Sequence, residues 1–402
     1  MKKAVIYGAG NIGRGFLGQL FHMSGYSISF IDVNKSVVDR LNAEGHYPIY
    51  IAEKEGYQAY TVTHVSGVDG SDMDQVAETV ASADVMATAV GVNVLPCIAE
   101  HLAAGIRRRM EKGIHTPLNI IVCENMIGVD AYLAELIKKK LDRAAQAYFD
   151  ETIGLVEPSI GRMVPATPKV IAEKEPLAVC VEPYCILPVD KDAFLGEIPE
   201  IVNLQPFSPF DFHIRRKLYM HNMSHALTAY LGALKGYTYI WEAAEDEEIA
   251  AVAQLALTEA SRALSREFDV PLGELTSFGG ELIERYKNRL LGDTVARVGR
   301  DTRRKLAEND RFVGAVLLCK KQGIMPVFIL LGIAAGLCFA IDGDDAPSAL
   351  GESIKASGIL PTLEKLCGFA DGSVEGSIVV RFYDLLSHGA SLTTILPILN
   401  KG

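Results

Sequence analysis

Three groups of residues in this chain have the types and spacing that chemistry asks for. The first is Lys217-x-x-x-x-Asn222-x-x-His225. On an α-helix Asn222 falls about 140° from Lys217 and His225 about 80° from it, so one helix can turn all three towards one pocket. A lysine desolvated there can lose its proton near neutrality and take another from a hydroxyl. An amide beside it can hold a developing alkoxide, and a histidine can fix a neighbouring hydroxyl. A solvated lysine on a helix that also carries Asn and His would look the same.

The second group is Gly8-Ala9-Gly10-Asn11-Ile12-Gly13, with Asp32 following downstream. It closes an apolar run and opens an amphipathic one, the context in which G-x-G-x-x-G binds a dinucleotide. Gly8 permits the turn, Gly10 lets backbone approach a pyrophosphate, and Gly13 lets helix and strand touch. Asn11 and Ile12 complete the loop, where free N–H groups at the helix start can meet the anion. A carboxylate at Asp32 suits the adenosine ribose hydroxyls and repels a 2′-phosphate, and Val33 and Asn34 bring no arginine to replace it. The expected cofactor is therefore NAD rather than NADP. Thr88 and Val90, at the exit of a later apolar run, can line the nicotinamide side. The third group is the basic run Arg297, Arg300, Arg303, Arg304, Lys305 and Arg311, an exception in a chain of net charge -11. Guanidinium groups suit phosphate, although a solvated face paired with Glu308 and Asp310 would have the same composition.

These groups need elements to hold them. Residues 4–7, 27–31, 85–89 and 119–123 read as short apolar strands. Helical patterns such as 15–23 and 35–44 lie between them, the βαβ signature of a parallel sheet. Two further runs, 178–181 and 185–188, could extend that sheet. From about Pro209 the pattern becomes helical: 213–234, 246–267, 275–291, 303–321 and 325–339. The expected fold class is α/β, with a Rossmann domain and extended sheet over residues 1–200 and a mostly α-helical domain over 201–402.

Composition removes several function classes. Hydrophobic residues make up 49% of the 402 positions and charged residues 22%, the mix of a packed globular protein. The acidic balance argues against a nucleic-acid partner. Seven scattered cysteines without a Cys-x-x-Cys pair fit reduced thiols and a cytoplasmic location. Met1-Lys2-Lys3 leads straight into the first strand, leaving no room for a secretory h-region. The apolar stretch 325–341, with Gly332-x-x-x-Gly336, falls short of the roughly 20 residues of a membrane span, and Asp342 and Asp344 follow it. It reads as a buried helix rather than a membrane anchor. No Cys/His cluster suits zinc, so no metal is expected. The Tyr-x-x-x-Lys pair Tyr50/Lys54 comes too early to stand beside a nicotinamide.

The Lys217/Asn222/His225 pattern resembles that of the polyol-specific long-chain dehydrogenases. So do Gly8-Ala-Gly-Asn-Ile-Gly-Arg-Gly-Phe16, Pro117-Leu-Asn-Ile-Ile-Val-Cys-Glu-Asn-Met126, His225-Ala-Leu-Thr-Ala-Tyr-Leu-Gly232 and Arg297-Val-Gly-Arg300-Asp-Thr-Arg-Arg-Lys305. The likeness runs almost the whole chain. It implies that Lys217 is the general base, that Asn125 and Asn222 form an oxyanion site, and that His225 orients the substrate. It also implies that Arg297, Arg300 and Lys305 bind the polyol chain. Asn125 makes independent sense, because it follows a strand at its carboxyl end, where open α/β sheets bind ligands. The implied reaction is reversible, NAD-dependent oxidation of the small molecule mannitol 1-phosphate to fructose 6-phosphate. Members of this family lean towards monomers, with a dimer as the alternative. A free polyol, a hexuronate, or a catalytically silent NAD-binding regulator stay open. Relatives carry an aspartate where this chain reads Ile160-Gly161-Arg162, which leaves the substrate less defined than the chemistry.

Overall fold

Strand β1 (Lys3–Tyr7) is apolar on both faces: Ala4 and Ile6 enter one core cluster, Val5 and Tyr7 another. A strand covered on both sides belongs in a parallel sheet. In the computed structural model, which describes residues 1–342 and 349–399, it lies at the centre of one. Its companions are β2 (Ser27–Asp32), β5 (Val65–Asp69), β6 (Val85–Thr88), β7 (Leu118–Val122) and β8 (Ile153–Val156). The order is β5-β2-β1-β6-β7-β8, all parallel. This is the doubly wound dinucleotide-binding arrangement, with its switch point between β1 and β6. Register aligns Tyr7 with Thr88 and Thr88 with Val122, so these strands end at one edge.

Strands β3 (His46–Glu53) and β4 (Gly56–Thr63) form an antiparallel hairpin, and β9 (Val179–Val181) joins β3 in parallel. Strands β10 (Leu187–Asp190) and β11 (Leu204–Phe207) make a separate pair. The two runs expected to extend the main sheet therefore do not; Ile153–Val156 extends it instead. Tyr50 lies on β3, where its hydroxyl donates to the Glu175 carboxylate at 2.6 Å.

The chain divides into two compact units, Met1–Ile214 and Arg215–Gly402. The second is helical. Its centre is the helix Val327–Asp342, in which Ile329, Leu330, Leu331, Ile333, Ala334, Ala335 and Leu337 are all fully buried. The Gly332/Gly336 spacing serves packing within this unit. A Cβ on Gly332 would come within 2.6 Å of the Phe312 ring, and one on Gly336 within 2.9 Å of Tyr230. No helix among the described residues is long and apolar enough to cross a membrane. Asp342 closes the helix, while Asp344 lies outside the described residues.

The start of that helix is held by a carboxylate from another one. Glu259, on Glu247–Phe268, accepts from the backbone N–H groups of Phe328 at 3.0 Å and Ile329 at 3.0 Å. Burial opposes its charge more strongly than these donors favour it, and its pKa rises to about 8. A carboxyl raised on folding stabilises the fold below its ordinary pKa, and that contribution is lost as pH rises towards the folded value. Wild-type Tm should therefore fall between pH 5 and about pH 8 by more than that of Glu259→Gln, which keeps an acceptor without a charge. Parallel Tm profiles for the two proteins would contradict this account.

Candidate functional site

The edge where β1, β6 and β7 end carries the first constellation. Gly8 takes a φ of +103°, and a Cβ there would lie 2.4 Å from the Ala89 carbonyl oxygen. Gly13 is tighter still, since a Cβ would fall 1.9 Å from the Gly8 oxygen. At Gly10, by contrast, a Cβ would meet nothing within 4 Å. Two glycines thus close the turn against the sheet, and the third leaves backbone open on the outer side. A pyrophosphate needs that opening. Beyond it the helix begins at Asn11 and Ile12, where first-turn N–H groups have no partner within the helix. It then widens into a π-helical turn over Gly13–Gly18. Asn11 is exposed and anchored by a 3.0 Å hydrogen bond from its amide to the Pro165 carbonyl. Ile12 packs on the core.

Asp32 ends β2 and faces the turn. One carboxylate oxygen accepts from the Ala9 N–H at 2.7 Å, the other from the Asn34 N–H at 2.8 Å. A carboxylate has about four acceptor sites, so two N–H bonds fix its orientation and leave capacity for ribose hydroxyls. These residues fit an NAD dinucleotide. Asp32→Ser should narrow the preference for NAD over NADP, because it removes the charge a 2′-phosphate would meet. Equal use of both cofactors by the wild type would show that Asp32 does not set the choice.

Thr88 is fully buried at the end of β6. The Val90 side chain lies against Gly8, 3.1 Å from where a Cβ would stand. Spacing alone did not flag Glu124, which lies in the loop after β7. Its two oxygens accept from Val90 N–H at 2.8 Å and Gly91 N–H at 2.7 Å. Burial raises its pKa while those donors work against the rise. Glu124 thus ties two strand exits together, and exposed Asn125 follows it at the same edge.

The second constellation stands on the helical unit. Lys217–Asn222 is not α-helical but a π-helical segment, continued by the α-helix Met223–Leu234. The wide i→i+5 turn brings residues five apart closer to alignment than the 140° of an α-helix, so Lys217 and Asn222 approach one face. His225 follows on the α-helical part. Its ring stacks on Tyr286, with centroids 4.8 Å apart and planes 13° apart. The Tyr286 hydroxyl lies 2.9 Å from Ser224 Oγ and donates to the His221 carbonyl at 3.0 Å. His221 is buried and held well below its ordinary pKa, chiefly by burial, with the charges of Arg285, His225, Lys217 and Arg311 adding to the effect.

The basic run meets this helix unevenly. Arg297 donates through Nε and Nη2 to Asp293, at 2.6 and 2.7 Å. Lys305 is buried, and its ammonium donates to the carbonyls of Val298 and Arg300. Burial lowers its pKa to about 7, with Arg311 and Arg304 adding to the effect. Arg304 pairs with Asp301 and Asp310, and Arg311 with Asp310. Arg311 also reaches the Asn222 carbonyl at 3.5 Å. Arg300 is exposed, and no ion pair among the described residues engages it. Asp293 was not evident from motif reading, although an acid four residues before an arginine is a usable signal. No group of three or more His, Cys, Asp or Glu side chains among the described residues could hold a metal ion.

Comparison with known proteins places both halves. Residues 2–203 match the mannitol dehydrogenase Rossmann domain, and residues 209–357 the mannitol dehydrogenase C-terminal domain. Similar curated proteins include a mannitol-1-phosphate 5-dehydrogenase of Thermoanaerobacter pseudethanolicus, 36% identical over 93% of this chain and 95% of that protein. Another of that name, from Brevibacillus brevis, is 37% identical over 92% of this chain and 94% of that protein. Among solved structures, the ternary complex of Pseudomonas fluorescens mannitol 2-dehydrogenase with NAD and D-mannitol shares the fold. Its TM-score is 0.78 at 16% identity, covering 100% of this chain and 95% of that one. The chain belongs to the mannitol dehydrogenase family of NAD-dependent polyol dehydrogenases.

Proposed function

We propose that this enzyme interconverts D-mannitol 1-phosphate and D-fructose 6-phosphate, with Lys217 as general base and no metal ion. The observation that carries the reading is the π-helical Lys217–Asn222 turn, which sets an amine and an amide towards one face with His225 following. Bound NAD supplies the hydride acceptor. The turn at Gly8, Gly10 and Gly13 would hold its pyrophosphate and Asp32 its adenosine ribose. Lys217, as a neutral amine, takes the proton of the reacting hydroxyl. The Asn222 and Asn125 amides are the donors proposed for the oxygen as it gains negative charge. His225 orients the polyol. In the reverse direction Lys217 returns the proton to the ketone oxygen.

The phosphate rests on the basic run and on the names of relatives that are 36% identical over most of the chain. A second reading, a non-phosphorylated polyol or a hexuronate, gains support from Arg297 and Lys305. Both already have protein partners, which leaves Arg300 as the open cation of the three. NAD reduction measured across polyols, hexuronates and polyol phosphates decides between them. Rapid turnover of mannitol 1-phosphate supports the reading, and faster turnover of free mannitol or of a hexuronate moves the enzyme to the second. No turnover of any would leave a catalytically silent NAD-binding protein.

A further inference from the structure

Asp293 is almost wholly buried, with 5% of its side chain exposed. It lies just before the helix Val295–Gly299 and faces two residues of the polyol reading at once. Its carboxylate takes the forked pair of hydrogen bonds from Arg297. Its Oδ2 also stands 3.4 Å from Nε2 of His225, long for a hydrogen bond. That nitrogen is buried and makes no hydrogen bond among the described residues, so the Asp293 carboxylate is the acidic group standing nearest to it. The far ring nitrogen, Nδ1, has no protein partner among the described residues.

Burial alone would raise the Asp293 pKa, but His225 and Arg297 outweigh it and hold the carboxyl at about 2. It is therefore ionised at working pH and can only accept. The groups facing His225 are Asp293, Arg297, Lys305, His221 and Tyr286. Burial holds the imidazole below its ordinary pKa, with Arg297 and Lys305 adding to this and Asp293 opposing it. A neutral imidazole has one N–H, and a carboxylate beside Nε2 draws it there.

We propose that Asp293 is a positioning residue for the polyol: it fixes His225 as the Nε2–H tautomer, leaves Nδ1 to accept a substrate hydroxyl, and clamps Arg297. The inference rests on the polyol reading above for its substrate, while the His225 tautomer can be measured without any substrate. Long-range ¹H–¹⁵N NMR of the wild-type holoenzyme, with His225 assigned by comparison with His225→Gln, should show Nε2–H with bare Nδ1. An Nδ1–H tautomer overturns the proposal, whether or not Asp293→Asn folds. In Asp293→Asn of unchanged circular dichroism, KM for the preferred polyol should rise about tenfold or more. The affinity for NADH should not change, and kcat should fall less than kcat/KM. Loss of the carboxylate should also drive the His225 pKa further down. An unaltered KM, or an unaltered His225 titration, overturns the proposal. If the wild type reduces no NAD with any polyol, the functional reading fails, and the tautomer still decides what Asp293 does to His225.

Discussion

Lys217→Ala is expected to lower kcat by about 10²-fold or more, the scale of a positioned general base. NADH affinity should hardly change, because the residues proposed to hold the cofactor, Gly8–Gly13 and Asp32, lie on the first unit and Lys217 on the second. A small primary amine added to the variant should restore part of the rate, since the missing group is an amine at the end of a cavity-forming truncation. The check is steady-state turnover beside NADH titration by fluorescence. A variant that keeps more than about a tenth of wild-type turnover falls short of that effect, and Lys217 would not be the base. In that case Lys305, an amine whose pKa burial lowers to about 7, is the next group to test.

What the sequence made legible was whatever depends on neighbours along the chain. The helix Lys35–Glu44 has the expected bounds because its signals are local: Asn34 caps its start by accepting from Val37 N–H, and Gly45 ends it at a φ of +67°. Four of the six parallel strands, β1, β2, β6 and β7, were legible because burial on both faces writes a continuous apolar run, whereas β5 and β8 were not read. The hairpin His46–Glu53/Gly56–Thr63 was not seen. It carries Pro48, which argues against a strand, and β3 gains its second partner, Val179–Val181, from far along the chain. The expected helix over 303–321 breaks into Thr302–Lys305 and Val313–Lys321, and Asp310, between them, pairs with Arg304 of the first and with Arg311 beside it.

The candidate site divides in the same way. The spacing of Lys217, Asn222 and His225 put them on one helix, but the π-helical turn has no local signature and changes which face they share. The basic run could be counted, yet its charges are not equivalent. Asp293 takes Arg297, two carbonyls take Lys305, and Arg300 is left exposed. Which cation is free depends on partners that meet only in the folded unit.

That inequality sharpens the expected result for the phosphate. A dianion held by one or two charge-assisted arginine contacts should bind more tightly by a few kcal/mol than a hydroxymethyl group in its place. The enzyme should then favour mannitol 1-phosphate over mannitol by about a hundredfold or more in kcat/KM. Since Arg297 already spends its fork on Asp293 and Lys305 is enclosed, Arg300 should carry most of the difference. Arg300→Ala should reduce the ratio chiefly by raising KM for the phosphorylated substrate, with little change for mannitol. Such a split marks a contact made to the phosphate in ground and transition states alike, because loss of uniform binding raises KM and leaves kcat. Kinetics of both substrates with wild type and variant check the expectation. Equal losses on both would place Arg300 at the polyol chain and not at the phosphate. A wild-type preference for mannitol would remove the phosphate from the reading and leave the lysine chemistry standing.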